Sequence, residues 1–216
     1  MFTGIIEATG TLKSIQRQGA DISVTIESAS LDFSDVKLGD SIASNGVCLT
    51  VTKLGVKQFS ADVSSETLAH TQFGQYQTGQ LINLEKAMLP TTRMGGHLVS
   101  GHVDGISQVT HIEQTGRAWH IWVALPKAFA HYIAAKGSIT IDGISLTVNE
   151  LTAEAFRLTI VPHTAEQTTI SLLKPGSKVH FEVDLIARYL ERLLSKDTSG
   201  KTSGVSMALL AQRGFI

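Results

Sequence analysis

The chain has 216 residues, 43% of them apolar and 17% charged, with 18 Lys and Arg against 19 Asp and Glu. That composition excludes collagen, coiled-coil rods and disordered polyelectrolytes, and a formal net charge of −1 supplies no basic field for nucleic acid or an anionic membrane. The one cysteine, Cys48, cannot close an intramolecular disulfide, so the fold is not stapled and the expected compartment is a reducing cytoplasm.

From the start, Met1-Phe2-Thr3-Gly4-Ile5-Ile6-Glu7 has no basic stretch ahead of an apolar one, and no apolar run approaches membrane-spanning length. Neither a leader nor a membrane span is expected. Ile22, Val24 and Ile26 alternate with Asp21, Ser23 and Thr25, and Phe59, Ala61 and Val63 alternate with Ser60, Asp62 and Ser64, the period of half-buried strands. Gly4, Gly10, Gly39, Gly46, Gly55 and Gly79 punctuate these runs as turns between short antiparallel strands, which a small closed barrel would spare exposed edges. A short helix is expected at Ser65–His70, a linker over 86–92, strands again at Ile121, Val123 and Leu125, and a second short helix over 126–135. A clearer helix runs over 184–195, with Asp184 placed as its cap, Ile186, Leu190, Leu193 and Leu194 on one face, and Arg188, Glu191 and Arg192 on another. Its apolar stripe must cover either its own barrels or other copies of the chain. Copies are favoured, because the linker over 86–92 puts no helix at the equivalent place earlier in the chain. The stretch 197–206, rich in Ser, Thr and Gly, reads as flexible.

The chain repeats itself. Asn45-Gly46-Val47-Cys48-Leu49-Thr50-Val51 returns as Asp142-Gly143-Ile144-Ser145-Leu146-Thr147-Val148, 97 residues later. The same displacement matches Gly4 with Gly101, Ser41 with Ser138, Thr67 with Thr164, Thr71 with Thr168, Gly79 with Gly176 and Glu85 with Glu182. Two copies are too few for a solenoid, and each is long enough for its own core.

Strand alternation puts Cys48, Thr50 and Thr52 on one face and Leu49 and Val51 on the other, and likewise sets Ser145 and Thr147 opposite Leu146 and Val148. If the leucines and valines fill the interior, the Cys/Thr and Ser/Thr faces look outward and a ligand lies outside the barrel. Cys48 reads either as a thiolate nucleophile or as an ordinary buried thiol; its match to Ser145 favours polar duty. In Gly95-Gly96-His97-Leu98-Val99-Ser100-Gly101-His102-Val103-Asp104, His97 and His102 suit proton transfer. Five apart on a continuous strand they would face opposite ways, so one of them at most serves a given site. Asp184, Glu85, Glu182 and Lys136 read first as solvated charges or helix starts. Ser145, His102 and Asp184 could be assembled as a triad, but no nucleophile-elbow motif supports a hydrolase. Dinucleotide, phosphate-loop and zinc-ligand spacings are absent from the sequence.

Four motifs in order, Met1-Phe2-Thr3-Gly4-Ile5, Asn45 to Val51, Gly96-His97-Leu98-Val99-Ser100-Gly101-His102, and Asp142 to Val148, resemble those of the alpha-type riboflavin synthases over residues 1–195. The resemblance implies a mainly β fold: two tandem six-stranded antiparallel Greek-key barrels and a C-terminal α-helix. The domains would be 1–92 and 97–184, an oligomerisation helix 185–196, and a flexible tail 197–216. It implies a transferase in which two molecules of 6,7-dimethyl-8-ribityllumazine exchange a four-carbon unit, giving riboflavin and 5-amino-6-ribitylamino-2,4-pyrimidinedione, with no metal or organic cofactor. It also implies a homotrimer whose active site joins the first barrel of one copy to the second barrel of its neighbour. Association with lumazine synthase is not read from the sequence.

By motif, the resemblance assigns Cys48 and Ser145 to assist nucleophilic addition, His102 and Thr147 to move protons, Asp184 to orient the serine or histidine, and Lys136 to the acceptor's vicinity. Matched binding stretches would be Gly4, Ile5 and Ile6 with Gly101, His102 and Val103, and Cys48, Leu49 and Thr50 with Ser145, Leu146 and Thr147. A third pair sets Asp62, Val63, Ser64, Ser65, Glu66 and Thr67 against Thr159, Ile160, Val161, Pro162, His163 and Thr164, and Ser41 joins the first site. Some of these contacts would be made by backbone groups. The competing reading is a lumazine-binding antenna protein of luminous bacteria, which holds a chromophore without converting it. Those relatives tend to lose the His97–His102 stretch and the Cys48 feature kept here. A flavin reductase would need a nucleotide-binding domain for which the chain has no room.

Overall fold

The computed structural model describes residues 1–197 and 211–213. Apart from Asp197 and 211–213, the stretch expected to be a flexible tail lies outside the described residues. The chain divides into Met1–Leu185, which carries all the sheet among the described residues, and Ile186–Ile216. In the first copy, β1 (Ala8–Gln18), β2 (Asp21–Glu27), β3 (Ser41–Ser44), β4 (Val47–Gly55), β5 (Gln58–Val63) and β6 (Leu81–Lys86) close a barrel in the order β1-β2-β5-β4-β3-β6. In the second, β7 (Gly105–Thr115), β8 (Ala118–Ala124), β9 (Ser138–Ile141), β10 (Ile144–Leu151), β11 (Ala155–Ile160) and β12 (Lys178–Val183) close along the same Greek-key path. All pairings are antiparallel.

Alternation decides which side of each strand faces in. Ile22, Val24, Ile26, Leu49, Val51, Phe59, Ala61 and Val63 fill the first barrel, and Ile121, Val123, Val148, Phe156, Leu158 and Ile160 the second. The duplication extends to irregularities: bulges follow Leu12 and Val51 in one barrel and the matched Val109 and Val148 in the other. Each β3–β4 type hairpin turns on Asn45-Gly46 or Asp142-Gly143, all four with positive φ (47°, 81°, 46° and 82°), the two-residue turn whose twist suits paired strands.

Helix α1 (Ser65–His70) is capped by the Ser64 hydroxyl, which accepts from the Thr67 amide at 3.2 Å. Its repeat mate α2 (Pro162–Gln167) has Pro162 in its first turn and no side-chain cap. The helix expected over 126–135 is instead a 3-10 segment, Lys127–Tyr132, entered from Pro126. Helix α3 (Leu185–Asp197) leaves Ile186, Leu190, Leu193 and Leu194 each more than half exposed. Among the described residues no helix is long and apolar enough to cross a membrane.

The barrels meet about a local two-fold. Phe2 and Val99, matched by the repeat, pair with each other: each amide donates to the other's carbonyl, at 2.8 and 3.1 Å. Phe2, Val99 and Ala43 form a small buried cluster there, with Cys48 and Ala87 against it. The two tight turns also meet: a Cβ on Gly46 would lie 2.8 Å from the Gly143 amide, and one on Gly143 2.7 Å from that of Gly46.

Candidate active site

The segment leading into each barrel lies on the other barrel. Gly4, ahead of the first barrel, accepts through its carbonyl from the Ser145 amide of β10 at 2.8 Å; Gly101, ahead of the second, accepts from the Cys48 amide of β4, also at 2.8 Å. Ile6 then packs on the second core and Val103 on the first. Both glycines need their identity: φ is 74° and 80°, and a Cβ would come within 2.6 Å of the Ser145 Cβ or 2.7 Å of the Cys48 Cβ. Each of two related faces therefore combines a strand from one barrel with the lead segment of the other: Cys48 and Thr50 with Gly101, His102 and Val103, and Ser145 and Thr147 with Gly4, Ile5 and Ile6.

Buried carboxylates hold both lead segments. Glu85 accepts from the Thr3 amide at 2.6 Å, the Thr3 hydroxyl at 2.7 Å and the Gly4 amide at 2.9 Å. Glu182 repeats this on the Ser100 amide and hydroxyl, both at 2.7 Å, and the Gly101 amide at 3.1 Å. Burial raises the pKa of each above the ordinary carboxylate value while these donors pull it down.

The histidine that reaches Ser145 is His97, whose Nδ1 lies 2.7 Å from the serine Oγ. Its ring is half-buried, which lowers its pKa below the ordinary 6.5, while the neighbouring Asp184 carboxylate pulls it up. Gly96 makes the approach possible, since a Cβ there would collide with the Thr3 carbonyl and sit 2.8 Å from the Ser145 Oγ. The His97 amide donates to the same Thr3 carbonyl at 3.1 Å. His102, by contrast, is exposed and its amide is held by the Ser100 hydroxyl at 3.2 Å. A triad of Ser145, His102 and Asp184 has no support in the sequence; within this chain the histidine bonded to Ser145 is His97, and the Asp184 charge acts on it.

The other expected residues divide by face. Leu49, Val63 and Ile160 are buried in the barrel cores, so only their backbone could meet a ligand, and Leu146 packs against the second core. Thr50, Asp62, Ser64, Ser65, Glu66, Thr147, Val161 and His163 are exposed; Thr67, Thr159, Pro162 and Thr164 are half-buried. Asp62 and its mate Thr159 have diverged: Thr159 joins His120 at 3.1 Å and Arg157 at 3.2 Å, where the first barrel offers a carboxylate. Lys136 stands in a left-handed turn, φ 68°, where its mate is Gly39, φ 90°. A side chain there costs on the order of 1 kcal/mol, a strain glycine would relieve. The largest cavity described, about 600 Å³, takes in Ile5 and Ser41 with Glu7, Lys86 and Met88, but neither Cys48 nor Ser145. It thus borders the Ser145 face through Ile5 without reaching the serine itself.

Behind them, the turns are tied by a second crosswise set of bonds. The Asn83 amide nitrogen donates to the Asp142 carbonyl at 3.0 Å and its oxygen accepts from the Thr169 amide at 2.8 Å. Its mate His180 repeats both: Nδ1 lies 2.9 Å from the Asn45 carbonyl, and Nε2 accepts from the Gln72 amide at 2.7 Å. This pattern requires the neutral ring with its proton on Nδ1, in keeping with a pKa that burial pulls down to about 4.

The lumazine binding domain family matches twice, over residues 3–87 and 100–184. The riboflavin synthase of Photobacterium phosphoreum is 54% identical, and that of Bacillus subtilis (strain 168) 42%, both over the full length of either chain. Among solved structures, LumP complexed with riboflavin superposes with a TM-score of 0.77 at 22% identity, covering 85% of this chain and 99% of that one, a likeness of fold. With both barrels matched and full-length relatives at this identity, the chain belongs to the riboflavin synthase family of tandem lumazine-binding domains.

Proposed function

We propose that the two crosswise faces are the two halves of one transferase site, each holding one molecule of 6,7-dimethyl-8-ribityllumazine. The enzyme passes a four-carbon unit from one to the other, giving riboflavin and 5-amino-6-ribitylamino-2,4-pyrimidinedione. The observation that carries this reading is the duplicated half-site: a reaction between two copies of one molecule calls for two related pockets, and Gly4–Ser145 and Gly101–Cys48 are matched bond for bond. The atoms of two substrates sum to those of the two products, so no external oxidant or reductant is required.

On the second barrel, His97 is held neutral by burial and can take the Ser145 hydroxyl proton as its Oγ adds to the lumazine ring. Asp184 steadies the ring that then carries charge. Cys48 supplies the matching nucleophile on the first barrel, with His102 and Thr147 exchanging protons at the substrate's acidic methyl group and Lys136 beside the acceptor. Holding two rings face to face accounts for much of the acceleration, roughly 7 to 11 kcal/mol for well-oriented partners. Because both faces are exposed, the site is completed between copies: the exposed apolar face of α3 supports a homotrimer in which the first barrel of one copy meets the second barrel of the next. Residues 1–92 and 97–184 would serve as the two binding domains and 185–196 as the assembly helix. The single cysteine supports a cytoplasmic setting and a place in riboflavin biosynthesis agrees with it.

The test mixes the purified chain with the lumazine alone and follows both absorption bands. Two lumazines lost per riboflavin formed are expected, without metal or nucleotide. Tight binding with no conversion would make the chain a chromophore carrier and remove the catalytic roles.

A further inference from the structure

We propose that Glu85 and Glu182 are positioning residues that act across the barrel boundary: Glu85, on the first barrel, sets the Ser145 face of the second, and Glu182, on the second, sets the Cys48 face of the first. That these faces hold substrate rests on the function proposed above; the positioning itself does not. Glu85 binds three donors of Thr3 and Gly4, and the carbonyl of that same Gly4 receives the Ser145 amide. Glu182 binds three donors of Ser100 and Gly101, and the Gly101 carbonyl receives the Cys48 amide. Each carboxylate is thus one glycine away from the backbone of the other barrel's nucleophile, through charge-assisted bonds that are stronger than neutral ones. Neither glycine has room for a side chain, since an added Cβ would fall 2.6 Å from the Ser145 Cβ or 2.7 Å from the Cys48 Cβ, so each backbone approaches its contact closely.

Sheet register gives the opposite expectation. Within the first barrel Glu85 pairs with Ala43 and Ala43 with Cys48; within the second, Glu182 pairs with Thr140 and Thr140 with Ser145. A carboxylate that merely supports its own sheet would disturb the nucleophile of its own barrel, two strands away. The two arrangements therefore differ in which glutamate governs which face.

Cys48 is the one thiol of the chain and is partly exposed, so its alkylation by iodoacetamide reports on the first face. In the full chain, Glu182→Gln should raise that rate about tenfold, the scale expected when a carboxylate's hydrogen bonds are lost, and Glu85→Gln should leave it within about twofold. Moving the reporter reverses the pattern: in a Cys48→Ser, Ser145→Cys chain, Glu85→Gln should raise alkylation and Glu182→Gln should not. If either glutamine variant fails to fold, Thr3→Ala and Ser100→Ala, which each remove one hydroxyl donor, carry the same comparison with smaller changes. Own-barrel effects, equal effects from both glutamates, or no effect from either would overturn the proposal. Protection of Cys48 by riboflavin is measured alongside. Its absence in the parent chain would count against the substrate reading of this face, while the alkylation rates of the free chain would still decide the positioning.

Discussion

His97 and Ser145 form one hydrogen-bonded unit, and their variants should behave as one. His97→Ala and Ser145→Ala are each expected to lower kcat by roughly ten- to hundredfold, with the double variant no slower than the slower single one, because groups that act together are not additive. The pH profile separates the histidine's role from simple packing. Burial lowers the His97 pKa, so its neutral, proton-accepting form is present above that lowered value and lost as pH falls through it. The acid limb of the wild-type rate should lie below the ordinary 6.5 and disappear in His97→Ala; a limb unchanged in the variant would exclude His97 as the base. Cys48 and Ser145 were legible in the sequence because alternation and repetition both single them out. His97 was legible only as one of two histidines suited to proton transfer, and nothing local singled it out over His102. Gly101, at φ 80°, turns the chain between the two histidines. The contact that matters spans 48 residues, a distance no local pattern records.

The hairpin turns show the same division between what a pattern carries and what packing adds. Asn45-Gly46 and Asp142-Gly143 are visible turn signals, yet nothing local says that the two turns abut each other or that His180 and Asn83 lace them together. Opposing titrations are buried in that join. His180, ordinarily 6.5, is pulled down to about 4, so between those values the unfolded chain binds the proton and the folded chain does not; stability falls as pH drops through this window. Asp142, ordinarily 3.8, is pushed by burial up to about 7, so the folded chain binds its proton first and stability falls as pH rises through much the same window. The two slopes oppose, and the wild-type contribution from this pair should be nearly flat. Asp142→Asn installs the residue its mate Asn45 already is, whose side-chain oxygen accepts from the Asn83 amide at 2.7 Å just as Asp142 accepts from the His180 amide at 2.8 Å. The variant keeps that bond and loses only the second slope. Urea unfolding should then show it losing stability between pH 6.5 and 4, by up to about 3 kcal/mol relative to wild type. A variant as flat as the wild type would mean that His180 is not held neutral.

Across the whole molecule, the repeat and the strand period determine that there are two barrels with outward-facing Cys and Ser faces, but not that each lead segment crosses to the other barrel. That exchange is a property of the pair and exists only once both have folded. It leaves each half-site built from two barrels of one chain and still open to solvent, with His102, Thr50 and Thr147 exposed. The apolar face of α3 is equally open: Leu190 is 53% and Leu194 68% exposed, and burying such a side chain between copies is worth about 1.5 to 3 kcal/mol. Leu190→Lys with Leu194→Lys should therefore leave both barrels folded, as judged by thermal melting, and, if the proposed trimer forms through this face, sediment as monomers. If the reacting rings are brought together between copies, the monomers lose the orientation that makes the reaction effectively unimolecular, and turnover should fall by at least about a hundredfold. Turnover per chain should then rise with protein concentration, as reassociation restores facing half-sites, whereas a site complete within one copy would keep wild-type turnover at every dilution. A fully active monomer would leave the two faces of a single chain as the only place for both substrates.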